Sequence, residues 1–259
     1  MMRRLLTLSF FVFVGFMLSC GGSSGSGAIL WIADGKRGEL GNLYRVNLAT
    51  GQLTTIGPIG FAVTGMAMHP NGTLYAVEST FGGNLGDSHL LTINKNTGQG
   101  SIIGKLDDSG APFVHQSCPD ITFVGERLIG WTEDSDEPME IDIATGEVTV
   151  IGGEISSSGS GMAADKDGTV YFIPQGDTLY MIDPDTGVGT EGPDITGLNL
   201  GGTINSLTFF RGVLYGIDAL NERLEDDPSA LVSVDTTTGA LTLIGELPDD
   251  IDAIASNAK

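Results

Sequence analysis

Five copies of one pattern run through this chain from Leu43 to Gly245: an alternating apolar and polar stretch, a turn of the form Asn/Asp-x-x-Thr-Gly, and a second alternating stretch. The clearest copy is LVSVDTTTGALTLIG from Leu231. Beneath it align LYRVNLATGQLTTIG from Leu43, LLTINKNTGQGSIIG from Leu90, MEIDIATGEVTVIG from Met139 and the more degenerate LYMIDPDTGVGTEG from Leu179. The turn glycines, Gly51, Gly98, Gly146, Gly187 and Gly239, stand 47, 48, 41 and 52 residues apart. Alternation on both sides of a short loop marks an antiparallel hairpin, and repetition at this period belongs to propellers and solenoids. The acid or amide four places before each glycine (Asn47, Asn94, Asp142, Asp183, Asp235) is placed to accept hydrogen bonds from the backbone just ahead, while glycine supplies the positive φ that closes the loop. These residues are therefore turn chemistry and not a site.

A second hairpin pattern lies between the first ones. VTGMAMHPNGTLYAVE from Val63, CPDITFVGERLIGWTE from Cys118, GSGMAADKDGTVYFIP from Gly159 and INSLTFFRGVLYGID from Ile204 are four copies. The fifth is split between the two ends of the chain, IDAIASNAK from Ile251 and AILWIADG from Ala28. Pairing the ends closes a ring and removes exposed sheet edges, which an open solenoid does not need. The expected fold is all-β: a five-bladed β-propeller of four-stranded antiparallel blades over residues 28–259, with the C-terminal strand completing the N-terminal blade. The repeats, in LYGID ending at Asp218 and in DTTTGALTLIG, resemble those of bacterial secreted β-propellers reading G-x-L-Y-x-[IV]-D and D-x-x-T-G-x-x-T-x-I-G, an uncharacterised group loosely similar to YVTN and quinoprotein-like propellers. That resemblance implies an architecture and no activity; the tryptophan docking motifs of true quinoproteins are missing, with Trp31 and Trp131 the only tryptophans.

The first nineteen residues carry Arg3 and Arg4, a short apolar run from Leu5 to Leu18, and a small residue, which is the form of an export signal. Met17-Leu18-Ser19-Cys20 resembles the bacterial lipobox, which implies cleavage before Cys20 and lipid on its sulfur. The resulting division is 1–19 signal peptide, 20–27 lipidated cysteine and flexible Gly/Ser tether, and 28–259 propeller. Gly21 after the cysteine resembles lipoproteins sent to the outer membrane of a two-membrane bacterium. With Cys20 acylated, Cys118 has no partner for a disulfide within one chain.

The formal net charge is -21, which excludes nucleic acid as a natural partner. Its distribution is uneven. In a four-stranded meander the connections between strands two and three and between blades share one face, here the upper face. Those connections hold 23 of the 33 acids, and 4 of the 10 bases that remain after Arg3 and Arg4 are removed with the signal. Long connections on a rigid scaffold carry function. Asp34, Glu78, Glu133 and Asp218 are expected where second strands end on this face, and Asp120 and Asp252 where innermost strands begin, together ringing the mouth of the central channel. Carboxylates from separate blades suit Ca²⁺ better than a soft metal, so Asp120 and Asp252 are candidate Ca²⁺ ligands, against the plainer reading of a solvated acidic rim.

His115 and Cys118, beside Asp120, form a thiol and imidazole pair on the same face, with His89 and Glu133 conceivable additional zinc ligands; against both a nucleophile and a metal site, free cysteine packs as a small hydrophobe. Glu78 and Glu133 are the carboxylates most suited to act as acid and base on a glycosidic bond, with Phe81 and Phe113 placed in upper loops where they would stack on a sugar. Two functions follow. The preferred one is a monomeric, envelope-anchored binding module whose acidic face, with Asp34, Glu78, Glu133, Asp218, His115 and Cys118 upon it, engages an envelope protein or a glycan. The alternative is a metal- or carboxylate-dependent hydrolase or lyase acting on extracellular glycan.

Overall fold

In the computed structural model each Asn/Asp-x-x-Thr-Gly segment forms the same turn. The Oδ1 of Asp235 accepts hydrogen bonds from the N–H groups of Thr237 (2.8 Å) and Thr238 (3.0 Å), and that of Asp142 accepts from Ala144 (2.7 Å) and Thr145 (3.1 Å). Asn94 and Asp183 accept in the same way, and Asn47 accepts from Ala49. Each glycine lies in the left-handed region, with φ between 69° at Gly51 and 82° at Gly98, and donates its N–H to the carbonyl of the acid or amide at 2.8 Å. An L side chain rarely takes that conformation. The hairpin register is thereby set five times over by local chemistry.

The structure describes residues 28–35, 40–78, 88–107, 118–132, 135–153, 155, 160–174, 178–197, 203–219, 229–248 and 250–259. Among them are twenty strands and no helix. The first blade contains β1 (Leu30–Asp34), β2 (Asn42–Val46) and β3 (Leu53–Pro58). The second is β4 (Val63–Met68), β5 (Leu74–Glu78), β6 (His89–Ile93) and β7 (Gly100–Lys105), and the third β8 (Ile121–Val124), β9 (Arg127–Thr132), β10 (Glu137–Ile141) and β11 (Val148–Val150). The fourth is β12 (Ser160–Ala164), β13 (Val170–Pro174), β14 (Thr178–Ile182) and β15 (Gly189–Asp194), and the fifth β16 (Thr203–Phe210), β17 (Val213–Ala219), β18 (Ala230–Val234) and β19 (Leu241–Glu246). The last strand, β20 (Ile251–Ser256), returns to the first blade, pairing antiparallel with β1 from Leu30 opposite Ser256 to Asp34 opposite Ile251. Five four-stranded antiparallel sheets result, and the fold is a five-bladed β-propeller.

The inner strands β20, β4, β8, β12 and β16 each pack against the next, closing a ring about the axis. Because every blade has a neighbour on both faces, residues of alternate parity point to different neighbours. Trp31 and Ala33 pack toward the second blade with Met66 and Ala76, while Leu30 and Ile32 pack toward the fifth with Ile217 and Leu231. Five apolar clusters arise in this way, one per interface between blades. Burying second strands on both sides explains why LYAVE and LWIAD are apolar almost throughout instead of strictly alternating.

The glycine closing each T-x-I-G segment has a different role from the turn glycine. A Cβ on Gly57 would strike the Thr97 carbonyl, and one on Gly104 the Thr145 carbonyl; Gly51 and Gly245 approach each other within van der Waals contact. At these joints the outer strand of one blade lies directly against the Thr-Gly turn of another, and at Gly57 and Gly104 the backbone approach is too close for any side chain.

Candidate functional site

The inner strands converge on the axis, where there is room for very little. At equivalent positions stand Gly65, Asp120, Gly161, Ser206 and Ala253, four small residues and one acid. Asp120 is 0% exposed. Its Oδ2 accepts the N–H of Met162 in the fourth blade (2.8 Å) and of Leu207 in the fifth (2.9 Å), and its Oδ1 accepts its neighbour Ile121 N–H (3.0 Å) and the Ser206 hydroxyl (3.1 Å). Ser206 Oγ in turn accepts the N–H of Ile254 in the first blade at 3.1 Å. On the remaining side, a Cβ on Gly65 of the second blade would come within 2.6 Å of the Asp120 Cα. One carboxylate thus ties blades three, four and five, and through Ser206 blade one, while glycine lets blade two close against it.

Asp120 was expected at the channel mouth; it lies instead in the core, as a plug. Burial pushes its carboxyl well above the usual carboxylate range, and the four donors pull it back. With both oxygens engaged twice, it presents no free acceptor to a ligand. Asp252 is not beside it. In β4, β16 and β20 the inner strand carries one extra residue against its partner, Thr64, Asn205 and Asp252 respectively, so Asp252 belongs to a bulge while Ala253 takes the axial position. Asn205 Nδ2 donates to Asp252 Oδ1 at 3.3 Å and Thr203 Oγ1 to Asn205 Oδ1 at 2.6 Å, and Thr64 Oγ1 donates to the Cys118 carbonyl at 2.9 Å. Bulges of this kind redirect side chains near the rims of barrels and sites. Here they gather Thr203, Asn205 and Asp252 around the upper end of the axis. Among the described residues no three of His, Cys, Asp and Glu come together as a metal ion requires.

The second strands end in Asp34, Glu78, Thr132, Pro174 and Ala219, with Asp218, one residue before the end of β17, at the register position of the other four. Thr132, opposite Glu137 across β9 and β10, takes the place expected for Glu133, because the third blade reaches the face one residue earlier. Glu133 and His115 lie outside the described residues, as do Cys20, Phe81 and Phe113. Glu78 is 5% exposed and opposite His89 in the sheet; its Oε1 stands 2.7 Å from His89 Nδ1, so that one proton is shared between them. Burial raises the Glu78 carboxyl and the imidazole draws it down. Asp34 accepts the Asn42 N–H and the Tyr44 hydroxyl, and burial together with this carboxylate pushes the Tyr44 phenol up to about 12. Asp218 is 3% exposed, and burial alone raises its carboxyl to about 6.

Cys118 is buried in the cluster between the second and third blades, with Val77, Ile121 and Met139, and its thiol donates to the Asp120 carbonyl at 3.6 Å. His89 pairs with Glu78 and not with Cys118. The His89 partnership was absent from the sequence reading of Glu78, although a signal existed: Glu78 closes one strand and His89 opens the next, and a hairpin brings such residues opposite each other. Ser206 and the bulged Asn205 left no comparable trace.

No protein-family model matches the chain, and no curated protein matches it. Solved structures of the same fold do exist. A chain in the crystal structure of a nidogen/laminin complex is 13% identical with a TM-score of 0.57, the match covering 89% of this chain and 98% of that one. A protein of unknown function from Bacteroides caccae is 14% identical with a TM-score of 0.53, covering 89% and 99%. At these identities the likeness is one of fold.

Proposed function

We propose that this chain is an exported, lipid-anchored propeller that binds an envelope partner, protein or glycan, through its upper face. The observation that carries the reading is the plugged axis. A propeller whose inner strands are bonded together through Asp120 and Ser206 offers no tunnel at that level for a small molecule. What remains is a rigid platform with the long, acidic connections on one side and tight turns such as His69–Gly72 and Asp165–Gly168 on the other. The similar chain from a nidogen/laminin complex belongs to a protein assembly, which accords with a platform of this type.

Two measurements test the proposal. Replacing Cys20 by serine moves the protein from the membrane fraction to the soluble one if lipid anchors it. Binding of envelope polysaccharides and basic proteins to immobilised full chain falls steeply with salt if the acidic face makes the contact; salt-independent binding, or none, would remove the face as the working surface. Thermal unfolding with EDTA and then CaCl₂ tests the cation, since an ion that binds only the folded state raises the midpoint saturably.

The Glu78–His89 pair favours a second reading as a glycan hydrolase or lyase. A buried carboxylate holding an imidazole by Nδ1 leaves Nε2 directed elsewhere, an arrangement that serves proton transfer. Product release from envelope polysaccharide that disappears in Glu78→Gln, with binding retained, would establish it. The absence of any product in the wild-type protein would end it.

A further inference from the structure

The polar residues at the upper ends of the second strands share one register position, and all but one are satisfied. Asp34 is bonded to Asn42 and Tyr44, Glu78 to His89, and Thr132 has a partner of its own. Among the described residues no donor reaches the carboxylate of Asp218, which is nonetheless 3% exposed. Its direction follows from the sheet. Ile217 packs toward the first blade with Ile254, so Asp218, the next residue, turns the other way, beside its cross-strand neighbours Ile204 and Ala230, which pack with Ile173 and Leu179 of the fourth blade. An acid with apolar walls and no donor is held in a costly state. Such a group marks strain, a reactive role, or a place that a water, an ion or a ligand completes.

The chemistry of that completing group can be narrowed. It is a donor, because a carboxylate accepts and does not donate, and a cationic donor offsets the buried charge where a neutral one does not. A hard metal ion takes six or more oxygens, and no three of His, Cys, Asp and Glu gather among the described residues. An organic cation needs one carboxylate only. Of the two common ones, a guanidinium is more weakly hydrated than an ammonium and meets a carboxylate with two parallel N–H bonds, which suits a site between blades lined by Ile204 and Ala230. The connections expected on this face hold far more acids than bases, which attracts basic partners from a distance.

We propose that Asp218 is the anchor of the acidic face and receives the guanidinium of an arginine side chain presented by a protein partner. This rests on the upper face being the binding surface. The raised carboxyl of Asp218, at about 6, accords with a group that gains from a cation at neutral pH.

The test uses the full chain in detergent micelles with ¹³C-labelled aspartate, the Asp218 carboxyl signal being assigned by its loss in Asp218→Asn. Acetyl-Gly-Arg-Gly-amide, its Gln counterpart and CaCl₂ are titrated in separately. The arginine peptide is expected to shift the signal saturably at millimolar concentration and to lower its acid titration midpoint, while the glutamine peptide and CaCl₂ leave it in place. In thermal shift, Asp218→Asn weakens the arginine peptide at least about tenfold, whereas Asp142→Asn, in a turn on the opposite side, does not. A signal that moves equally with the glutamine peptide, moves only with CaCl₂, or does not move at all overturns the assignment. If Asp218→Asn still binds a basic protein or polysaccharide as wild type does, the anchor fails and the acidic face stands; if neither protein binds any partner, both fail.

Discussion

Asp120→Ala and Asp120→Asn together test whether one buried carboxylate holds the ring of blades closed. Alanine strips an acceptor from three backbone N–H groups, Met162, Leu207 and Ile121, and from the Ser206 hydroxyl. A buried donor left without a partner costs about 1–3 kcal/mol. The hydroxyl can rotate to another acceptor; the three N–H groups, fixed in β-strand backbone, cannot. Their combined loss of about 3–9 kcal/mol is offset in part by no longer burying a carboxylate, and breaking a buried charged arrangement nets about 3–5 kcal/mol in comparable cases. Asparagine keeps one acceptor oxygen and turns an NH₂ toward donors on the other side, so about half of that loss is expected, roughly 1–3 kcal/mol. Against a total stability of about 5–15 kcal/mol, alanine should leave a marginal fold. Urea unfolding of residues 28–259, which hold all twenty strands, at pH 7 measures both variants from their midpoints. The order wild type, then Asn, then Ala is required. An Ala variant within about 1 kcal/mol of wild type, or an Asn variant more stable than it, would refute the reasoning, because desolvation of the acid would then outweigh its bonds.

Gly65→Ala should cost about 1–3 kcal/mol, since its Cβ would stand 2.6 Å from the Asp120 Cα and 3.0 Å from the Pro119 carbonyl, both backbone atoms of the segment leading into β8; a variant with an unchanged urea midpoint would mean that the axis has slack. Asp142→Ala and Asp235→Ala each remove an acceptor from two exposed turn N–H groups, so each should lower the urea midpoint slightly, and the double variant should show the sum of the two shifts, because the turns belong to blades three and five. Stability should also show the titration of Asp218. Its folded carboxyl, at about 6, lies above the ordinary value of 3.8, so the folded state binds the extra proton between these values and the penalty is absent below about pH 4 and complete above about pH 6. Asp218→Asn should therefore match wild type at pH 4 and exceed it at pH 7–8, by at most about 3 kcal/mol for a shift of this size; parallel stability curves from pH 4 to 8 would show that Asp218 is not strained.

Local chemistry is legible in a sequence because it depends on neighbours along the chain. The Asn/Asp-x-x-Thr-Gly turns, the alternating hairpins they join and the split fifth copy were sufficient for twenty strands, five blades and closure through β20 and β1. Even Asp34, Glu78 and Asp218 could be placed at the upper ends of the second strands, while in the third blade Thr132 stands at that position, because the blade reaches the face sooner. The roles of those acids were not legible. Asp34, Glu78 and Asp218 occupy equivalent register positions with similar sequence surroundings, yet one is bonded to a tyrosine, one to a histidine and one to no described donor.

Asp120 shows why. In the sequence it is an acid at the start of a strand, like Asp252 near the start of another, and both read as candidates for one ring of ligands. A single bulged residue in β20 sets Asp252 off the axial position and puts Ala253 there, while Asp120 has no such offset and meets Met162, Leu207 and Ser206 at distances of 42 to 87 residues along the chain. The period of the repeats specifies which strands become neighbours, because turn and strand geometry accumulate from bonded residues. Which carboxylate is consumed as structure and which is left for a partner depends on donors arriving from two other blades. Only closure of the ring brings those donors together.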